Sequence, residues 1–138
     1  MTDYNEFNRG VIAEFREKQG RVASFGEAPM ILITHKGAKS GKEYVTPLVC
    51  SREGDSYVII ASMGGAPTDP QWFRNLRAAP QIQVQVLDRR FAATAHEYVG
   101  AERDAVWTDV ITARVPGVRR YAAKAGRTIP VALLRPVP

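Results

Sequence analysis

The chain has 138 residues, 45% of them hydrophobic and 24% charged, with a net charge of +5. That length suits one domain that buries a core without staples, and the composition is that of a globular protein. No apolar stretch approaches the ~20 residues that span a bilayer, and the single cysteine, Cys50, excludes an intrachain disulfide and suits a reducing compartment.

The N-terminal MTDYNEFNRG lacks a signal peptide's apolar centre, so the cytoplasm is the default compartment. Charge is unevenly placed. From Val110 to Pro138 there are six basic residues and no acid, an asymmetry that suits nucleic acid, an anionic membrane surface, or a phosphorylated or carboxylated small molecule.

Residues 3–19 read as an amphipathic helix, with Tyr4, Phe7, Val11 and Phe15 on one stripe, Asp3 and Glu6 as a capping box, and Gly20 as its end. MILIT (30–34) and EYVTPLV (43–49) read as strands around a basic loop. SREGDS reads as a turn with Gly54 at positive φ, and YVIIAS (57–62) as the next strand. A short helix follows, capped by Asp69, with Pro70 at its first position and an end at Pro80.

In QIQVQVL, Ile82, Val84 and Val86 alternate with glutamines, giving a strand with one buried and one wet face. FAATAHEY (91–98) is its hairpin partner. Residues 101–113 and 116–125 read as helices, the second opened by Pro116 and closed by Gly126, and TIPVALL (128–134) as a final strand. Short, largely sequential strands with helices at the ends and in one insertion predict an α+β, mainly β, antiparallel barrel or strongly curved sheet, and disfavour a doubly wound nucleotide fold. The predicted layout is one domain over 1–138, with the N-terminal helix in 1–20 and the barrel with its helices in 28–138.

Three stretches carry candidate chemistry. The first is HKGAKSGK (35–42). Its G-A-K-S-G-K is too short for a Walker loop, lacks the magnesium-binding Ser/Thr, and leads into a strand. Its glycines and lysines suit capture of an oxyanion, although alone it reads more simply as a solvated hairpin connection. The second is ASMGGAPTDPQWFRNL (61–76). Gly64 and Gly65 leave bare backbone against which a flat ligand could lie, and Trp72 and Asn75 share a helix face. The third is RRYAAKAGRTIPV (119–131), either the basic wall of a cleft or a solvated helix face.

His35 and His96 lack metal-ligand spacing, and no nucleophile elbow or H-E-x-x-H helix is present. Cys50 sits in an apolar strand as a small core residue. A chain without an acid–base pair or nucleophile is a binding protein, or an enzyme whose cofactor carries the chemistry.

Taken in order, G-x-K-[ST]-G-x-x-x-x-x-P-L (Gly37 to Leu48), A-S-x-G-G-A-x-x-x-P-x-W-[YF]-x-N-L (Ala61 to Leu76) and R-T-I-P-[VI] (Arg127 to Val131) resemble the deazaflavin-dependent nitroreductase family of actinobacteria. That family includes F420H2-dependent quinone reductases, and the resemblance covers Phe7 to Pro138. It implies a split β-barrel of the FMN-binding type and hydride transfer from reduced coenzyme F420 to a quinone or similarly activated acceptor, nitro compounds included.

The resemblance also implies site residues. Lys36, Gly37, Lys39, Ser40, Gly41 and Lys42 would hold the cofactor's phosphate and acidic tail. Pro47, Ser62, Met63, Gly64, Gly65, Trp72 and Asn75 would surround the ring and its polyhydroxylated chain. Tyr121 would border the substrate, and Tyr121 or Ser62 would serve the acceptor oxygen. Many relatives carry arginine where this chain has Tyr44. The alternatives are an F420- or FMN-binding barrel with little reductase activity and a small basic nucleic-acid-binding barrel. The latter is disfavoured because the Gln81/Gln83/Gln85 face offers no aromatic. Glu6, Glu14 and Glu17 offset the basic residues of the first helix, so weak peripheral contact with the inner face of the plasma membrane is the most it predicts. Assembly is left between monomer and homodimer.

Overall fold

The computed structural model describes residues 4–18, 30–61, 69–87, 89–114 and 118–137, without the side chains of residues 4–7, 114 and 121. Its strands are β1 (Met30–Lys36), β2 (Glu43–Val49), β3 (Ser51–Glu53), β4 (Ser56–Ile60), β5 (Gln81–Val86), β6 (Arg89–Tyr98) and β7 (Val131–Pro136). They form one sheet in the order β2-β1-β5-β6-β7-β4-β3, antiparallel at every pairing. The non-sequential pairings, β1 with β5 and β4 with β7, curl the sheet around its core into a split β-barrel. Helices α1 (Tyr4–Glu17), α2 (Gln71–Ala78), α3 (Gly100–Val106), α4 (Thr112–Arg114) and α5 (Val118–Ala125) complete it.

Hydrophobic patterning explains which faces are covered. Ile31 and Ile33 of β1 point into the barrel with Ile82, Val84 and Leu134, whereas Met30 and Leu32 face Val11 and Phe15 of α1. A strand covered on both sides reads as a continuous apolar run, as MILIT does. Val11 and Phe15, one helical turn apart, are the buried stripe of α1, and full burial of Phe15 contributes about 1.5–3 kcal/mol. β4 and β7 are likewise double-faced: Tyr57, Ile59 and Leu134 face the core, while Val58, Val131 and Leu133 meet Ile111 and Val118 of the helical layer. In β5, Ile82 and Val84 are buried and Gln81 and Gln83 exposed, as the alternation predicts.

Several boundaries differ from the sequence reading. Ser51–Glu53 is a strand rather than part of a turn, because it pairs with β4; only Gly54 and Asp55 turn, with Gly54 at φ 61. The strand after it is Ser56–Ile60, and the last strand runs Val131–Pro136 instead of 128–134. Pro70 precedes α2 as its N-cap, and Asp69 caps nothing because its carboxylate is held by two arginines, described below. Between α3 and α4 the chain widens into a π-helical turn, Trp107–Ile111, that the periodicity did not signal. Arg103 stacks 4.4 Å from the Trp107 ring centroid and donates to the Ile129 carbonyl at 2.7 Å, tying this turn to the approach to β7. Asp3, Gly20 and Pro116 lie outside the described residues. No helix among the described residues is long and apolar enough to cross a membrane.

Candidate functional site

The β1–β2 hairpin pairs His35 with Tyr44 and Lys36 with Glu43, leaving residues 37–42 as its connection. That connection is tied largely to itself. The Gly37 N–H donates to Lys42 O at 2.8 Å, Gly41 N–H to Gly37 O at 3.0 Å, and Lys42 N–H to Ser40 Oγ at 3.2 Å. The Ala38 N–H donates to Asn75 Oδ1 of α2 at 3.0 Å. Four of the loop's amides, those of Gly37, Ala38, Gly41 and Lys42, are thus engaged inside the protein. Gly37 has another reason to be glycine: a Cβ there would sit 2.6 Å from Ser40 Oγ and 3.0 Å from the Tyr44 ring. Gly41 takes a φ of 70, which side chains resist.

Asn75 is the hub between loop and barrel. It is 2% exposed on α2, its Oδ1 accepts from Ala38 N–H and from Gln71 Nε2 at 3.1 Å, and its Nδ2 lies 3.1 Å from His35 Nδ1. His35, itself 3% exposed, has its Nε2 2.8 Å from Thr46 Oγ1 on β2. Desolvation pushes the imidazole down to about 4, so it is neutral at physiological pH. The Tyr44 ring stacks on it at 6.1 Å between centroids.

These groups form the floor of an open cavity of about 610 Å³. One wall is α1, through Asn8, Arg9 and Ile12; another is the hairpin, through Gly37, Lys39, Ser40 and Tyr44 to Thr46; the third is α2, through Gln71, Trp72 and Asn75. Among the described residues its lining holds the cations Arg9 and Lys39 and no carboxylate. Of the residues singled out from sequence, Gly37, Lys39, Ser40, Trp72 and Asn75 converge here, whereas Lys36, Gly41, Lys42 and Pro47 do not line it. Ser62, Met63, Gly64 and Gly65 lie outside the described residues, and Tyr121 is described only as backbone within α5.

Sequence reasoning missed His35, Thr46, Gln71 and the α1 wall. One signal was available. His35 shares a strand face with Ile31 and Ile33, and a polar side chain on a buried face needs a partner.

Arg127, in the third motif, donates to Asp69 Oδ1 at 2.7 Å and to the Ala61 carbonyl at 2.9 Å. It therefore holds both flanks of the glycine-containing segment 62–68. Asp69 also receives Arg77 at 3.0 Å, and Arg77 in turn pairs with Glu97 of β6 at 2.8 Å. Cys50 is buried in the barrel core with its thiol pushed up to about 12, which leaves it an inert packing residue.

Residues 7–136 match the F420H(2)-dependent quinone reductase family. The chain is 33% identical over 126 residues to an F420H(2)-dependent quinone reductase of Mycobacterium tuberculosis, covering 88% of this chain and 85% of that one. Among solved structures, an F420-H2-dependent reductase is 37% identical with a TM-score of 0.69, over 78% of this chain and 94% of its own. A protein described as a domain-swapped dimer is 32% identical with a TM-score of 0.71, over 96% of this chain and all of its own. With its split barrel and near end-to-end match, the chain belongs to the F420H(2)-dependent quinone reductase family.

Proposed function

We propose that this chain binds coenzyme F420 in the cavity between α1, the β1–β2 hairpin and α2, and reduces a quinone or similarly activated acceptor with it. The observation that carries the reading is the lining: Arg9 and Lys39 bring positive charge to a space that, among the described residues, no carboxylate lines. An anionic ligand is favoured there and a cationic one repelled. The residues present fit the cofactor, with Lys39, Ser40 and Arg9 suited to its phosphate and acidic tail and the half-buried Trp72 offering a flat apolar surface toward its ring. Lys36 and Lys42, exposed on the same hairpin, add positive potential at the mouth. Gly41 and Pro47 shape the hairpin. Ser62, Met63, Gly64 and Gly65 are assigned to the ring on the family resemblance of their motif.

When bound, the reduced deazaflavin supplies the hydride from its C5 carbon. The chain's own work is to orient the acceptor and to meet the negative charge that builds on its oxygen. Ser62 and Tyr121 are the hydroxyls we assign to that oxygen, with Tyr121 or solvent supplying the proton. A quinone acceptor is membrane-borne, so we place the protein in the cytoplasm with at most weak contact to the membrane's inner face, as a monomer or homodimer.

Titration with oxidised F420, FMN and a single-stranded oligonucleotide at low and moderate salt tests the reading. Tight binding of F420 alone supports it, and FMN binding without F420 binding overturns it. Full menadione turnover in both Ser62→Ala and Tyr121→Phe would remove those two hydroxyls from the chemistry.

A further inference from the structure

The hydrogen-bonded chain Gln71–Asn75–His35–Thr46, buried at Asn75 and His35, has a direction that can be read from one end. A backbone N–H only donates, and that of Ala38 meets one terminal atom of the Asn75 amide at 3.0 Å. That atom is therefore the carbonyl oxygen, which Gln71 Nε2 also approaches at 3.1 Å. The Asn75 nitrogen must then face His35, and an amide nitrogen only donates, so His35 Nδ1 is a bare acceptor. A neutral imidazole with a bare Nδ1 carries its proton on Nε2. That proton points at Thr46 Oγ1, 2.8 Å away.

The opposite sense does not close. Were Thr46 to donate to Nε2, the ring proton would sit on Nδ1 against the Asn75 nitrogen. Turning the amide to relieve that contact would set its nitrogen against the Ala38 N–H, which cannot turn. Each alternative leaves two donors face to face in a buried site, where an unmade hydrogen bond costs most.

Thr46 therefore receives a hydrogen bond from the protein and keeps its own proton free. Among the described residues its hydroxyl has no other partner, and Thr46 lines the cavity. We propose that the Thr46 hydroxyl donates a hydrogen bond to an acceptor oxygen of the cavity's ligand, with His35 and Asn75 as the positioning residues that leave its proton available. The site thereby offers a proton to a carbonyl, hydroxyl or phosphoryl oxygen at that wall. Identifying that ligand with F420 rests on the reading above; the polarity of the hydrogen-bond chain does not.

Two measurements decide it. Long-range 1H–15N correlation on ligand-free, histidine-labelled wild type at neutral pH should show His35 as the Nε2–H tautomer. An Nδ1–H ring or an imidazolium overturns the inference whatever the ligand. F420 affinity, read by fluorescence, should fall at least about tenfold in Thr46→Val, which keeps the shape and loses the hydroxyl, and stay within about threefold in Thr46→Ser. Thr46→Val binding like wild type, or Thr46→Ser losing as much as Thr46→Val, overturns it. Wild type that binds no F420 defeats the cofactor reading instead, and the ring tautomer then decides the inference alone.

Discussion

Acidification should remove about 3 kcal/mol of stability through His35 alone. The ring is 3% exposed, its Nδ1 faces an amide nitrogen, and burial lowers its pKa from 6.5 to about 4. As pH falls through 6.5 the unfolded chain takes up a proton that the folded chain accepts only near pH 4. Stability therefore falls between these two values and levels off below the lower one. At about 1.36 kcal/mol per pKa unit, the loss is about 1.4 kcal/mol at pH 5.5 and about 3 kcal/mol at pH 4. The assay is urea unfolding of wild type and His35→Gln at pH values of about 7.5, 5.5 and 4. Carboxylates common to both proteins cancel in the difference, so the wild type should lose stability more steeply than the variant. Parallel pH profiles would refute the reasoning, because they would mean that His35 titrates in the folded protein as it does unfolded.

Lys39→Ala should weaken F420 binding by about 1–3 kcal/mol with a shallower salt dependence, while Lys36→Ala, whose side chain is off the cavity, should change it little; equal effects in a fluorescence titration would contradict the assignment of the walls. Gly37→Ala should destabilise the protein by about 1–3 kcal/mol through its clash with Ser40 and Tyr44, and thermal unfolding reads this directly. Gly41→Ala, with nothing near its Cβ but a positive φ, should cost only about 1 kcal/mol. Arg127→Met should cost about 1.5–3 kcal/mol by removing charged hydrogen bonds to Asp69 and Ala61, and a midpoint of denaturation equal to wild type would argue that these bonds are idle.

Much of the fold was legible because its signals are local. The Gln/Ile/Val alternation of β5, the positive-φ glycines at 54 and 126 and the Val11/Phe15 spacing are each written within a few residues. What was not legible depends on partners distant in sequence. Ser51–Glu53 is a strand only because β4 lies beside it, and Asp69 abandons helix capping because Arg127, far along the chain, reaches it. The candidate site shows the same division. The three lysines of the hairpin look alike in sequence, and only the packing of α1 and α2 around the loop puts Lys39 on the lining while Lys36 and Lys42 stay off it. His35 escaped notice because its significance comes from Asn75, 40 residues away.

The ion pairs on the outer side of α2 bear on how the walls of the cavity are held. Arg77 links α2 to Asp69 and Glu97, and Asp69 is gripped in turn by Arg127. Such contacts have direction and short range, so the helix that presents Trp72 and Asn75 is moored like a bridge pier. The opposite bank, α1, rests on the seam of Val11 and Phe15 against Met30 and Leu32. Apolar burial has no preferred direction and is little screened by salt. The two banks of the cavity are thus fastened by different forces: directional ion pairs, which salt weakens, brace α2, whereas burial of Val11 and Phe15 seats α1 and Arg9 with it.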